Sequence, residues 1–160
     1  MLTFHSANVR SVNPQRAVPE LLETAFGSTE PDCDLVLMNA AVGHDLAVLT
    51  EEVRRWIPKA QVLASSCAGV VGPQGPGETS HDIVMMGIRG DGLVIAHRDD
   101  LFGSTSFERG VELGQSLQQQ APQPVRMVYL LASGIDIAND RLIAGMESVL
   151  GAEEIGRAHV

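Results

Sequence analysis

The stretch "DLVLMNAAVGHDLAVLTEEVRRWIPKAQVLAS", residues 34–65, decides the fold. It begins with a continuous apolar run over 34–41, which is typical of a central strand covered on both faces. After Gly43 the apolar residues recur at the spacing of one buried helical stripe, and Pro58 ends that pattern. The stripe consists of Leu46, Leu49, Val53 and Trp56. Residues 60–65 then form another apolar run, so the order strand, helix, strand predicts parallel strands joined by a right-handed crossover.

Segments on both sides extend this unit into a larger sheet. Residues 2–9 predict a first strand, and Asn13 followed by Pro14 suits the start of a helix that ends at Gly27. Residues 69–81 carry four glycines and two prolines and predict a loop, because no helix can run through them. Two apolar runs, near 82–88 and 93–99, flank "RGDG" and predict an antiparallel hairpin.

A further helix is predicted from a capping box in which Thr105 is followed three residues later by Glu108. This helix runs to about Gln120. Gly110 and Gly114 lie one turn apart on it and lower its intrinsic helix propensity. We expect a close approach to the sheet to explain them.

The remaining segments complete the fold class. Residues 125–133 predict a strand, and the last helix stops at Gly151 after a buried stripe of Leu142, Met146, Val149 and Leu150. We therefore expect an α/β fold, a mixed β-sheet with a central antiparallel hairpin and helices packed on it, as a single domain over residues 1–160. Residues 153–160 predict the start of an unfinished strand, so we expect a truncated or freestanding half.

Composition and charge argue against several classes of partner. The chain has 20 acidic residues against 11 basic ones, and a net charge of -9 repels a phosphate backbone, so we expect no nucleic acid partner. No window approaches the roughly 18 apolar residues of a membrane span, and the N-terminus lacks the pattern of a signal peptide. We expect a soluble, cytoplasmic chain. Cys33 and Cys67 are typical of free thiols in a reducing compartment, although one bridge between them stays open.

Small and polar residues follow three of the predicted strands, at 40–45, 65–69 and 132–136. Ligands of α/β proteins gather at the carboxyl ends of strands, so these ends would line one pocket if the strands are parallel and adjacent. The alternative is that serine, alanine and glycine only permit tight turns under packed helices. The candidate ligand-binding residues are Ser65, Ser66, Cys67, Gly69, His44 and Asp136.

Each candidate also has a plainer structural interpretation. Cys67 has the small-x-nucleophile-x-small spacing of a nucleophile elbow, but the helix that an elbow requires does not follow it. The plainer interpretation of His44 is a solvent-facing residue of the first helical turn, and that of Asp136 is an N-cap of the last helix. The histidines show no H-x-x-x-H or Cys/His clustering, so no metal site is predicted.

Two segments resemble FIST domains. Residues 34–69 resemble the N-terminal half of that family, where a strand, an "S-x-x-H"-like turn, a helix and a "G-C-S-[ST]-A-G-E" segment follow in order. "YLLASGIDIANDRLIAGMESVLGAEEIGRAHV", residues 129–160, looks like the later portion that leads to a "G-G-x-A" motif. The family's small-residue segment falls on residues 65–69. This chain departs from the family at Ala64, Val70 and Arg157.

The resemblance implies a bacterial sensory domain that binds small molecules such as amino acids and acts with signal-transduction outputs. It also implies that the C-terminal FIST portion is absent, so that a partner chain or a lost segment supplies the other wall of a shared pocket. No cofactor is predicted, and haem is implied only because some relatives are haem proteins.

Three functional hypotheses follow. The first is a non-catalytic sensory module in which backbone N–H groups and the Ser65 and Ser66 hydroxyls recognise a polar or anionic ligand. The second is a hydrolase or transferase that uses Cys67 with His44 as base. The third is an interaction module that pairs with another chain, either a signalling partner or a second copy, through a sheet edge at 153–160.

Overall fold

The computed structural model describes residues 1–132 and 136–151. In chain order the elements are β1 (Thr3–Arg10), α1 (Pro14–Phe26), β2 (Leu35–Ala41), α2 (Leu46–Trp56), β3 (Gln61–Cys67), β4 (Val70–Gly72), β5 (Gly75–Gly77), β6 (Asp82–Arg89), α3 (Ser106–Gln120) and α4 (Asn139–Leu150). They form two compact units, Met1–Asp91 and Gly92–Val160. Two compact units can belong to one domain, so the single domain over 1–160 stays a prediction.

The first unit contains a four-stranded mixed sheet in the order β1-β6-β2-β3. Strands β2 and β3 are parallel, and β6 runs antiparallel to both of its neighbours, β1 and β2. Strands β1, β2 and β3 therefore share one direction. The mixed sheet confirms the predicted α/β class.

One face of this sheet packs against α1 and α2. The apolar core there contains Ala7, Val9, Val18, Leu21, Leu22, Val36, Met38, Ala40, Leu49, Val53, Ile83 and Met85. The predicted start and end of α1 are confirmed, because the Asn13 side chain accepts a hydrogen bond from the Gln15 N–H at 2.9 Å. Gly27 ends the helix in the left-handed region, with φ 68°. The apolar stripe predicted for α2 lies in this core, with Leu49 and Val53 buried and Leu46 and Trp56 packed against them.

The predicted hairpin of residues 82–88 and 93–99 is wrong in its second arm. Residues 82–89 form β6, but no strand is present over 93–99. Strand β6 is paired with β1 along one edge and with β2 along the other. Because both edges of β6 are occupied, residues 93–99 cannot pair with β6 as the second arm of a hairpin. The central antiparallel element is a single strand, β6, instead of a hairpin.

The glycine-rich segment 69–81 contains more structure than the predicted loop. Strands β4 and β5 within it form a small antiparallel hairpin in which Val70 pairs with Gly77 and Gly72 pairs with Gly75. Gly75 turns the chain with φ 103°, a backbone angle that glycine adopts without strain. As expected, no helix runs through this segment.

The second unit is built around α3 and α4, whose shared core contains Leu113, Leu142 and Met146. The expected approach of the α3 glycines to the sheet is wrong, because they approach α4. A Cβ added at Gly110 would fall on the backbone carbonyl of Leu142, and one at Gly114 would lie 3.1 Å from Cβ of Val149. The glycines therefore serve helix–helix contact.

The prediction of a capping box at the start of α3 is also wrong. The Thr105 hydroxyl donates to the carbonyl of Phe102 at 3.3 Å and does not cap the helix. A 3-10 turn over Gly103–Thr105 precedes α3 and places this side chain beside the preceding turn. Ser106 instead donates to the Phe102 carbonyl and accepts from the Ala138 N–H.

The predicted strand at 125–133 is not formed over residues 125–132, and residue 133 lies outside the described residues. Alternate side chains there still pack on the α3–α4 core, namely Val128, Leu130 and Ala132. The alternation in the sequence therefore marks a half-buried extended segment. It does not make a strand because none of the described residues forms a ladder with it.

None of the helices in residues 1–132 and 136–151 is both long and apolar enough to cross a membrane. The cytoplasmic location stays a prediction.

Candidate ligand-binding site

The carboxyl ends of β1, β2 and β3 and the start of β6 meet at one edge of the sheet. Two of the three predicted strand ends, at 40–45 and 65–69, therefore come together, because β2 and β3 are adjacent and Ala41 pairs with Cys67. The third end, at 132–136, belongs to the second unit, and its residues 133–135 lie outside the described part of the chain.

The two serines at the end of β3 lie on opposite faces of the sheet, because successive strand residues alternate. Val62 and Ala64 pack against the helix-covered core, and Ser66 follows them on that face, where it is exposed. Ser65 and Cys67 lie on the other face and are partly buried. A ligand on one face can therefore contact only one of the two hydroxyls, and the binding roles of both stay predictions.

Asn39 lies beside Ser65 on the face away from α1 and α2. The two residues are register partners in β2 and β3, and the Ser65 hydroxyl donates to Oδ1 of Asn39 at 2.5 Å. The amide nitrogen of Asn39 has no hydrogen-bond partner among the described residues. Leu35 and Leu37, earlier on the same face of β2, are buried. Asn39, Ser65 and Cys67 thus form a polar strip at the carboxyl ends of β2 and β3, beyond the buried leucines of β2, hereafter the Asn39 strip.

The thiol of Cys67 is not activated by its surroundings. Burial raises its pKa, and a hydrogen bond from the Gly69 backbone opposes this effect without reversing it. The thiol donates weakly to the Ala40 carbonyl at 3.5 Å, and Nε2 of His44 has no hydrogen-bond partner. The Cys67–His44 pair that the hydrolase hypothesis requires is therefore not formed, and the thiol is protonated at neutral pH.

The β4–β5 hairpin covers part of this face. Asn8 and Val84 continue the cross-strand row of Asn39 and Ser65, which places the Asn8 side chain on the same face. A Cβ added at Gly72 would lie 2.5 Å from Oδ1 of Asn8, so glycine is what permits this approach. The Asn8 N–H donates to Oε1 of Gln74 at 3.1 Å, and the Gln74 N–H donates back to Oδ1 of Asn8 at 3.0 Å.

Asp82 fastens the far end of the hairpin to the sheet. Its carboxylate is buried and accepts from the Thr79 N–H and hydroxyl, both at 2.7 Å, and from Nε of Arg10 at 3.1 Å. Burial alone would raise the pKa of Asp82, but the Thr79 and Arg10 hydrogen bonds outweigh it and hold the pKa below its usual value. A Cβ added at Gly77 would lie 2.6 Å from Cγ of Asp82. The hairpin therefore rests directly on this carboxylate.

Sequence reasoning did not identify Asn8, Arg10, Asn39 or Asp82. A signal was present in β1, where Ser6, Asn8 and Arg10 alternate with apolar Ala7 and Val9. For Asn39 the only signal was one amide inside an apolar strand. Its meaning depends on Ser65 lying opposite, which requires the strand pairing.

His44 lies in the turn between β2 and α2, where its N–H donates to the Ala41 carbonyl at 3.1 Å. Its ring packs edge-on against His81 with centroids 6.4 Å apart, and its Nε2 is buried without a partner. Asp45 caps α2 by accepting from the Ala47 and Val48 N–H groups. The structure thus brings His44 to His81 and not to Cys67. Because Nε2 is buried, these contacts do not fit haem ligation by His44.

Within residues 1–132 and 136–151 no group of three or more histidine, cysteine, aspartate or glutamate side chains could hold a metal ion.

Asp136 belongs to the second unit, where it is exposed and has φ 58°. Its alternative role as N-cap of α4 is wrong, because the N-cap position is Ala138, which has no capping side chain. Its role as a ligand contact stays a prediction. The proposed pairing edge at 153–160 lies outside the described residues.

Comparison with protein families gives a match to the FIST N domain model over residues 34–156 of this 160-residue chain. The matched region begins at β2, includes the Asn39 strip and the β4–β5 hairpin, and extends beyond α4. No curated protein matches the chain. Since the family model covers well over half of the residues, this chain belongs to the FIST N domain family.

Proposed function

We propose that this chain is a sensory domain of signal transduction that binds a small polar metabolite on the Asn39 strip, without catalysis. Membership of the FIST N family is consistent with a sensory role. The observation that carries the location is a set of polar side chains, Asn39, Ser65 and Cys67, at the carboxyl edge of a face whose other β2 residues are buried and apolar, namely Leu35, Leu37 and Ala41. Ligand binding at this site would be communicated to a signalling partner or a further domain.

The chemistry of the Asn39 strip favours a ligand that accepts hydrogen bonds. The Ser65 hydroxyl uses its proton on Oδ1 of Asn39, which orients the amide nitrogen of Asn39 as a donor for a ligand. The Ser65 oxygen keeps acceptor capacity for a ligand N–H. A carboxylate beside an ammonium supplies both partners, so a free amino acid fits the strip.

The test is thermal unfolding of the intact chain with a panel of amino acids and small carboxylates. A ligand at about 100 times its dissociation constant adds about 2.7 kcal/mol of stability. We expect Ser65→Ala to abolish the shift given by the best panel member. The matched control is Ser66→Ala, the next residue on the opposite face, which should keep it. Equal loss in both variants, or no shift with any panel member, would overturn the proposal.

A second measurement separates this function from thiol catalysis. Because burial raises the pKa of Cys67, we expect its alkylation by iodoacetamide to be slow at neutral pH, with an apparent pKa above about 8.5. Cys33 is buried and also has a raised pKa, so a Cys67→Ser variant gives the background rate. Rapid alkylation with a pKa well below that of free cysteine would contradict the non-catalytic assignment.

A further inference from the structure

Strand β1 lies at an edge of the four-stranded sheet, with β6 on its one paired side. The Ser11 N–H donates to the His81 carbonyl, so the odd-numbered residues of β1 direct their backbone groups toward β6. The even-numbered residues therefore direct theirs away from the sheet. The bond from the Asn8 N–H to the Gln74 side chain supports this assignment independently.

Gln74 protects only one position of this edge. Its side-chain oxygen Oε1 accepts a hydrogen bond from the outward N–H of Asn8, as a carbonyl of a neighbouring strand would. Phe4 and Ser6, the preceding outward residues, are exposed, and their N–H groups have no partner in the described part of the chain. The free edge is therefore the first half of β1.

This half of the edge also lacks the usual protection against pairing. Natural edge strands carry lysine, proline or bulges that prevent another chain from adding to the sheet. Residues 3–9 contain no proline and no Lys, Arg, Asp or Glu, and the Phe4 side chain is 53% exposed. The edge thus offers unpaired backbone groups beside an exposed aromatic ring.

We propose that β1 pairs antiparallel with β1 of a second copy of this chain, about a two-fold axis at Phe4. In this register Phe4 pairs with Phe4, and Leu2 pairs with Ser6, so the outward N–H groups of Leu2, Phe4 and Ser6 each meet a carbonyl. A register centred on Ser6 would require Asn8, whose N–H is taken by Gln74. The Phe4 rings then lie opposite each other on one face.

The charge distribution favours a second copy at this place. The chain carries a net charge of -9, which opposes the approach of two identical molecules in general. Residues 3–9 form an uncharged segment through which two copies can approach. Because the shared ladder covers only Leu2–Ser6, the dimer interface is small, and the fraction of dimer depends on protein concentration.

The first test is sedimentation equilibrium of the intact chain over a wide concentration series. We expect the mass to rise from 17.1 kDa toward twice that value. Phe4→Lys and Ser6→Pro should each keep the chain monomeric, and proline at an outward N–H position leaves the β1–β6 bonds intact. Val12→Lys, at a residue 66% exposed just beyond β1, is the matched control and should dimerise normally.

The second test fixes the register with a disulfide in a Cys67→Ser background. Hydrogen-bonded antiparallel pairs have Cα atoms about 5.5 Å apart, which suits a disulfide. Phe4→Cys should therefore cross-link two copies on mild oxidation, whereas Thr3→Cys should not, because Thr3 faces His5 of the other copy. A chain that stays monomeric at all concentrations, equal weakening by Val12→Lys and Phe4→Lys, or equal cross-linking at positions 3 and 4 would each overturn the proposal.

Discussion

Replacement of Gly77 by alanine tests how the β4–β5 hairpin is seated on the sheet. Gly77 does not adopt a positive φ, so alanine is acceptable for its backbone. The new Cβ would lie 2.6 Å from Cγ, 2.8 Å from Oδ2 and 2.9 Å from Cβ of Asp82. Real Cβ atoms do not come this close to other atoms, so the Asp82 side chain must leave its position.

The expected loss follows from what the Asp82 carboxylate holds. It accepts two bonds of 2.7 Å from Thr79 and one of 3.1 Å from Arg10. Hydrogen bonds to charged groups contribute about 1.5–3 kcal/mol each, and the exposed Arg10 contributes least. Weakening the Thr79 pair should therefore lower the free energy of unfolding by about 2–3 kcal/mol, a fall of roughly 4–12 °C in Tm for a chain of this length.

The assay is urea unfolding in a double-mutant cycle with Asp82→Ala. Without the carboxylate, the alanine at position 77 no longer meets Cγ or Oδ2, and only the slight overlap with Cβ of residue 82 at 2.9 Å remains, so Gly77→Ala should cost less than about 1 kcal/mol in that background. The coupling free energy should equal most of the single-variant loss. If Gly77→Ala is equally destabilising with and without Asp82, the hairpin is not seated on this carboxylate and the reasoning is refuted.

Two further predictions concern acid stability and helix packing. The pKa of Asp82 is lowered in the folded chain, so its contribution to stability is complete above the usual value of about 3.9 and is lost as the pH falls through the lower folded value. The stability gap between the wild type and Asp82→Asn should therefore narrow only below about pH 3.9, and a gap that is already lost above that pH would contradict the pKa direction. Gly145→Ala and Gly110→Ala should each destabilise the chain by about 2 kcal/mol, because the new Cβ meets backbone of the opposite helix. Gly114→Ala mainly meets the Val149 side chain and should be near neutral. Equal effects of the three variants in urea unfolding would contradict the close packing of α3 on α4.

The helices and parallel strands of the first unit could be predicted from the sequence because their signals are local. The Asn13 cap, the Gly27 stop and the apolar stripe of α2 act within one or two helical turns. The continuous apolar run of β2 likewise indicates burial on both faces wherever the strand lies.

The two wrong strand predictions share one cause, which is that a strand needs a neighbour. Residues 93–99 and 125–132 have apolar content suited to strands, but β6 has both edges occupied and no ladder forms along either segment. The approach of Gly110 to α4 instead of the sheet is the same kind of error, since the sequence shows that a surface is close without showing which one.

The sequence by itself determined that small and polar residues end two parallel strands, because the order strand, helix, strand implies that direction. That the two strands are adjacent follows only from their pairing in the sheet. Only the tertiary structure decided which of those residues share a face. The pairing of Asn39 with Ser65, the separation of Ser65 from Ser66 and the meeting of His44 with His81 all depend on register and on loop paths. These contacts join residues far apart in the chain, and their geometry is set by the packing of whole elements, which no local pattern of residues encodes.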